Sequence, residues 1–243
     1  MTDAELCKYL ASEAGKLLLE LQRSGRLTGK ELGQEGDRLA NAYLCDSLRS
    51  AHPQDALLSE EEKDRPSRLN ASRVWIVDPL DGTREYSEGR DDWAVHVALA
   101  VQGIAQSGAV ALPGIGLTLA SHEPQQLKAQ NIPLKMVVSR TRPAAEALAV
   151  AEILGAELVP MGSAGAKAMA VVRGEADIYL HSGGQYEWDN CAPVAVAEAS
   201  GLYCGRIDGS QIKYNNTDPY LPDLIICRTE LVDTVMAALD TTH

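Results

Sequence analysis

Two aspartates, Asp78 and Asp81, stand where the apolar run Val74-Trp75-Ile76-Val77 ends, separated only by Pro79 and Leu80. Pro79 fixes φ and has no N–H, so the chain can turn there without burying an unsatisfied donor. If it bends, both carboxylates and the Leu80 carbonyl face one point, the oxygen-rich setting that Mg2+ takes. Gly82 then lets backbone approach a ligand closely, the amides that follow can open a helix toward a phosphate, and the Thr83 hydroxyl can orient a water. The same D-x-x-D-G pattern is also that of an ordinary acidic turn. Two further acidic groups bear on the choice. Ser59-Glu60-Glu61-Glu62 follows a short apolar run, and adjacent carboxylates repel unless they are exposed or bridged by cations. Glu187-Trp188-Asp189 precedes a helical pattern, where an aspartate serves either as a ligand to the same site or as a helix cap.

The elements that must carry these residues follow from the periodicity of the 243-residue chain. Residues 3–22 place Leu6, Leu10, Leu17, Leu18 and Leu21 near a helical period, and Glu35 to Ser50 does the same with Leu39, Tyr43, Leu44 and Leu48. Strands are expected over 56–58, 73–77, 94–101, 106–111 and 117–119, the middle of the set antiparallel. Residues 121–133 read as a loop between lobes, giving an N-terminal α+β lobe over 1–133 and a C-terminal α/β lobe over 134–243. In the second lobe strands are expected over 135–138, 157–159, 176–180 and 224–227. Helices are expected over 143–154 (capped by Thr141 or Arg142), 164–172, 191–200 and 231–239. Alternating strands and helices imply layered α/β packing.

Composition bounds the function. The formal net charge of −12 disfavours nucleic acid and anionic membrane surfaces, so an anionic substrate needs cations gathered locally. With no Phe, the core rests on Leu, Ile, Val, Ala and Met. Cys7, Cys45, Cys191, Cys204 and Cys227 are scattered and form no C-x-x-C pair, as expected of reduced thiols in a cytoplasmic protein. The acidic start Met1-Thr2-Asp3-Ala4-Glu5 lacks a signal-peptide pattern, and no segment has the apolar length of a membrane span.

Taken together, Ser59-Glu60-Glu61, Asp78-Pro79-Leu80-Asp81-Gly82-Thr83 and Trp188-Asp189 with Ala192-Pro193 resemble the inositol monophosphatase superfamily of Mg2+-dependent, Li+-sensitive phosphatases. Asp37 matches a fourth position. Within the superfamily the closer resemblance is to the CysQ-type 3′-phosphoadenosine 5′-phosphate phosphatases, above all the actinobacterial form. It rests on Arg84-Glu85-Tyr86, residues 89–96, Gly162-Ser163-Ala164-Gly165-Ala166-Lys167, residues 181–189 and Asp218-Pro219-Tyr220-Leu221-Pro222-Asp223-Leu224. Inositol phosphatases carry Thr-Asn-Phe where this chain has Arg84-Glu85-Tyr86, which tilts the reading toward a nucleotide. The resemblance implies a layered α-β-α-β-α sandwich and a homodimer. It implies two or three Mg2+ ions held by Glu60, Asp78, Asp81, Asp189 and the Leu80 carbonyl, with Li+ as inhibitor. Thr83, Asp37 and Glu60 then have catalytic roles around an attacking water. The activity implied is removal of the 3′-phosphate from adenosine 3′,5′-bisphosphate (PAP), with its sulfated form (PAPS) as a second substrate. An inositol monophosphatase, a fructose-1,6-bisphosphatase and a non-catalytic binding protein are the alternatives.

Substrate contacts are assigned to Gly82, Thr83, Ser139, Arg140, Ser163, Lys167 and Asp189. Lys167, one helical turn after Ser163, reads equally as a phosphate-binding charge or a solvated helix lysine. Tyr214 and Tyr220 are candidates for stacking on adenine. His96, inside an expected strand, reads as a hydrogen-bonded core histidine, and His181 as a residue near the substrate.

Overall fold

The computed structural model describes residues 1–241. Helix α1 (Asp3–Arg23) starts in a capping box, the Thr2 hydroxyl accepting from the Glu5 amide and the Glu5 carboxylate from the Thr2 amide. Helix α2 (Gly29–Ala51) begins at Gly29, not at Glu35 as the periodicity suggested. Its early turns carry Gly33 and Gly36, which lower helix propensity but let the helix lie close on its neighbours. A Cβ on Gly36 would sit 3.0 Å from the Tyr86 ring.

Strand β1 (Ala56–Ser59) pairs parallel with β2 (Arg73–Asp81), which leads through Gly82 into the short helix α3 (Thr83–Ser87). Strands β3 (Ala94–Val101), β4 (Ile104–Leu112) and β5 (Leu117–Ala120) complete a five-stranded sheet in sequential order, antiparallel from β2 onward. The second half supplies β6 (Lys135–Ser139), α4 (Ala145–Leu154), β7 (Glu157–Met161), α5 (Ala164–Val172), β8 (Ile178–Tyr186), α6 (Glu187–Ala199), β9 (Leu202–Gly205), β10 (Tyr220–Arg228) and α7 (Val232–Asp240). Its sheet has the order β7-β6-β8-β10-β9.

Three hydrophobic clusters fill the four interfaces between five layers. Because side chains alternate along a strand, Trp75 and Val77 point to one face of the first sheet and Val74 and Ile76 to the other. The first pair packs under α1 and α2. The second pair meets the central layer of α5 and α6, whose far side contacts Val137, Tyr179 and Ile226 of the second sheet. The opposite face of that sheet, with Met136, Val138, Ile178 and Ile225, is covered by α4 and α7. The result is an α-β-α-β-α sandwich. Burial on both faces explains why β2 is apolar without alternation.

Several boundaries differ from the sequence reading. Helix α4 starts at Ala145 with Ala144 as a cap that offers no side-chain bond, so neither Thr141 nor Arg142 caps it. Strand β8 starts at Ile178 and continues to Tyr186 through Gly183 and Gly184, held by pairing to β10. The two glycines, with φ 77° and 74°, form a β-bulge opposite Pro222, and pairing resumes at Gln185. Helix α6 opens at Glu187, earlier than Cys191, which brings Asp189 into its first turn. Strand β9 was not anticipated; its four residues are too few to show a period.

Candidate metal centre

The metal-type geometry begins in an irregularity of β2. Asp78 pairs with His96 and Asp81 with Ala94, so two residues of β2, Pro79 and Leu80, oppose the single Val95 of β3. This is a β-bulge, placed where Pro79 has no N–H for the ladder. The Leu80 amide turns back to donate to Asp78 Oδ1 at 3.0 Å. Asp189 arrives from the first turn of α6. One carboxylate oxygen from each of Asp78, Asp81 and Asp189 lies within 4.8 Å of the others.

Each carboxylate is held differently. Asp81 accepts the amides of Ala164 at 3.2 Å and Gly165 at 2.6 Å, at the N-terminus of α5. Asp189 accepts the Tyr186 amide at 2.6 Å, so it caps α6 while standing in the acidic cluster. Pro193 lies in the same helix and cannot donate an N–H to the Asp189 carbonyl. Asp78 is buried and accepts the Leu80 amide.

The electrostatics follow from these surroundings. Burial, then the charges of Glu60, Asp81 and Asp189, push Asp78 well above the ordinary carboxylate range. Burial and the Asp81 charge push Asp189 up to about 7. Asp81 goes the other way: burial opposes its ionised form, but His96, the Gly165 amide and Lys167 together hold its pKa down. Buried carboxylates crowded together without a basic partner at Asp78 are an arrangement that a hard divalent cation relieves. The donor set, all oxygen, fits Mg2+.

Glu60, Asp37 and Thr83 gather beside this cluster. Thr83 Oγ1 lies 3.3 Å from Asp37 Oδ1 and 3.2 Å from the Leu80 carbonyl, so one hydroxyl joins α2, α3 and the bulge. With one proton and two acceptors, Thr83 keeps lone pairs for an incoming O–H. Burial and the Glu61 charge push Asp37 up to about 7. Glu60 is exposed at its residue surface, yet its carboxyl bonds to Asp78; burial of that group, with Glu61, Asp81 and Asp37 nearby, pushes it up to about 7. Glu62 is instead tied to Arg49 at 2.5 Å, and Glu61 is exposed.

The residues assigned to substrate divide. Gly82 has φ 89°, and a Cβ there would lie 2.9 Å from Ser163 Cβ, so only glycine allows α3 to start against α5. Ser163 caps α5 through the Ala166 amide at 3.0 Å. Lys167 is buried, not solvated: its ammonium donates to the carbonyls of Gly162 at 2.5 Å and Ser163 at 2.8 Å, 5.5 Å from the Tyr179 ring centroid. Ser139 Oγ accepts from the Arg142 amide at 3.2 Å. Arg140 is engaged by Glu85 at 2.7 Å and Glu88 at 2.6 Å, which answers what Arg84-Glu85-Tyr86 does locally. Glu85 ties α3 to the second half, while Tyr86 is buried with its hydroxyl on the Leu18 carbonyl. Tyr214 is not a stacking surface: it is buried and its hydroxyl donates to Asn190 at 3.0 Å. Tyr220 keeps an exposed face beside Tyr186. His181 bonds the Gly183 carbonyl at 2.8 Å and burial lowers its pKa.

Sequence reasoning gave no role to Asp92, which is clasped by Arg90 and accepts the Gly162 amide at 2.7 Å, or to Gly165. The spacing Gly162-Ser163-Ala164-Gly165 carried the only signal of such close packing.

A model of the inositol monophosphatase family matches residues 4–239. The chain is 46% identical to a 3′-phosphoadenosine 5′-phosphate phosphatase of Mycobacterium leprae, covering 98% of this chain and 94% of that protein. It is 47% identical to the Mycobacterium tuberculosis protein of the same name, over 93% and 89%. Its fold is similar to a crystal structure of CysQ from Bacteroides thetaiotaomicron with a TM-score of 0.80 and 23% identity, covering 93% of this chain and 97% of that one.

Proposed function

The chain belongs to the inositol monophosphatase family and is a phosphoric monoester hydrolase, and we propose that it removes the 3′-phosphate of PAP to give AMP with the help of Mg2+. The observation that carries the substrate is the 46% identity, over almost the whole chain, to a 3′-phosphoadenosine 5′-phosphate phosphatase. In this reading PAPS is a second substrate.

Asp78, Asp81, Asp189 and Glu60, with the Leu80 carbonyl, would hold the metal. When bound, Mg2+ supplies positive charge to offset the phosphate's and makes an attacking water more acidic. Thr83 accepts one O–H of that water and, braced by Asp37, aims its oxygen in line with the ester bond. Asp37, which hydrogen-bonds Thr83 beside the cluster, is placed to take its proton, with Glu60 next to it among the metal-holding groups. The phosphorus–water bond forms as the bond to the ribose 3′ oxygen breaks, and the proton balance is restored on the leaving hydroxyl. In this reading the phosphate lies on the side of Gly82, Ser163 and Lys167, and Ser139 and Arg140 take the remainder of the nucleotide. Residues 1–133 then supply most ligands and residues 134–243 supply Asp189 and most of the substrate side.

Among the described residues no helix is long and apolar enough to cross a membrane. The five cysteines are all free thiols, which supports a reducing cytoplasmic setting. A homodimer completes the proposal, checked by light scattering of the eluted protein.

The deciding experiment compares PAP, inositol 1-phosphate and fructose 1,6-bisphosphate side by side with Mg2+, each with and without Li+. The expected result is preference for PAP and inhibition by Li+. Preference for inositol 1-phosphate overturns the substrate assignment.

A further inference from the structure

His96 lies fully buried on β3, directly across from Asp78, and it touches both halves of the acidic cluster. Its Nδ1 is 3.0 Å from the Trp188 carbonyl. A carbonyl only accepts, so Nδ1 carries the hydrogen and the ring orientation is fixed from α6. The other nitrogen, Nε2, is 3.2 Å from Asp81 Oδ2. It has no aligned hydrogen bond among the described residues, so its placement is set by the ring's other contacts. The same Oδ2 accepts the Gly165 amide at 2.6 Å. Gly165 is also where the ring finds room: a Cβ there would collide with Nε2 and stand 3.0 Å from Ala94 Cβ.

A single imidazole therefore spans from Asp81 on the first sheet to the residue preceding Asp189 on α6. These two acids come from opposite halves of the chain, and the relative position of their oxygens decides whether one cation can bridge them. Groups that grip a ligating side chain from behind fix its direction and commonly set metal affinity. We propose that His96 is a positioning residue that sets the spacing of Asp81 and Asp189, with Gly165 as the small residue that admits it. A histidine serving only to fill the core would leave metal affinity unchanged when replaced by another residue that keeps the fold. The inference rests on the reading of Asp81 and Asp189 as metal ligands.

The test is calorimetric titration of metal-stripped protein with Mg2+ alone, without substrate, alongside the thermal midpoint of each metal-free variant. His96→Ala removes both contacts, His96→Asn keeps a donor able to reach the Trp188 carbonyl, and Gly165→Ala displaces the ring with His96 intact. Relative to wild type, His96→Ala weakens Mg2+ binding about 10- to 100-fold, and Gly165→Ala weakens it in the same direction. His96→Asn falls between His96→Ala and wild type. For each, kcat returns toward wild type at saturating Mg2+ while the Mg2+ requirement rises. If His96→Ala does not fold, the Asn and Gly165→Ala variants carry the test. Folded variants that bind Mg2+ within about twofold of wild type overturn the proposal. Wild type that binds no Mg2+ overturns the underlying ligand assignment, a result separable from the first.

Discussion

Asp78 and Asp223 are both buried aspartates on sheet strands, and they live under opposite electrostatics. Asp223 on β10 is clasped by Arg206 through two bonds of 2.6 Å and accepts the Ile207 amide at 2.9 Å. Asp78 on β2 faces Glu60, Asp81 and Asp189, and its pKa rises accordingly. The first carboxylate has its counterion built into the chain. The second has none, and on the proposed reading a cation from solution takes that place. Burial alone therefore does not single Asp78 out; its burial among other carboxylates does.

The largest expected effect breaks the comparison on the acidic side. Asp81→Asn lowers Mg2+-dependent hydrolysis on the order of 10^3-fold, about 4 kcal/mol of barrier, measured as kcat/KM under saturating Mg2+. Retained Mg2+-dependent turnover would remove Asp81 from the centre. On the other side, Asp223→Asn costs about 3 kcal/mol of stability by stranding Arg206. Denaturant unfolding measures that loss, and activity of the folded variant stays near wild type. Thr83→Ala, which leaves Asp37 without its hydroxyl partner, lowers kcat about 10- to 100-fold with little change in KM.

A smaller effect separates the two sites by pH. Asp37, Glu60 and Asp189 hold protons more tightly in the fold than when unfolded, each near 7. Their contribution to metal-free stability is thus fully present below the ordinary carboxylate range near 4 and is lost as pH rises through about 7. Mg2+ replaces those protons, so the rise in melting temperature on adding Mg2+ is larger at pH 8 than at pH 5, and binding near neutral pH releases protons. A thermal-shift series read with and without chelator checks the sign. An equal Mg2+ shift at both pH values would detach these carboxylates from the metal.

How much of this was legible in the sequence depends on the distance over which a residue acts. Asp78, Pro79, Asp81, Gly82 and Thr83 announce their chemistry within six positions, because proline and glycine dictate the bend locally. The bounds of 94–101 and 164–172 were equally readable, since each is a mainly apolar run, buried almost throughout, that a Gln-Gly or Arg-Gly pair follows. Pairings across the chain were not. Nothing near Arg140 indicates that Glu85 and Glu88 occupy it, and nothing near His96 indicates the Trp188 carbonyl. Tyr214 looked available because a loop surrounds it, yet Asn190 draws its hydroxyl into the core. Such contacts depend on how two sheets meet over α5 and α6, which no local pattern encodes.

The most direct measurement is anomalous diffraction from crystals soaked in Mn2+ as a stand-in for Mg2+. The account predicts a peak bridged by the carboxylates of Asp78, Asp81 and Asp189, at about 2.1 Å from their oxygens, and none at Asp223. Mn2+ bound elsewhere, with this cluster empty in an active crystal form, would contradict it.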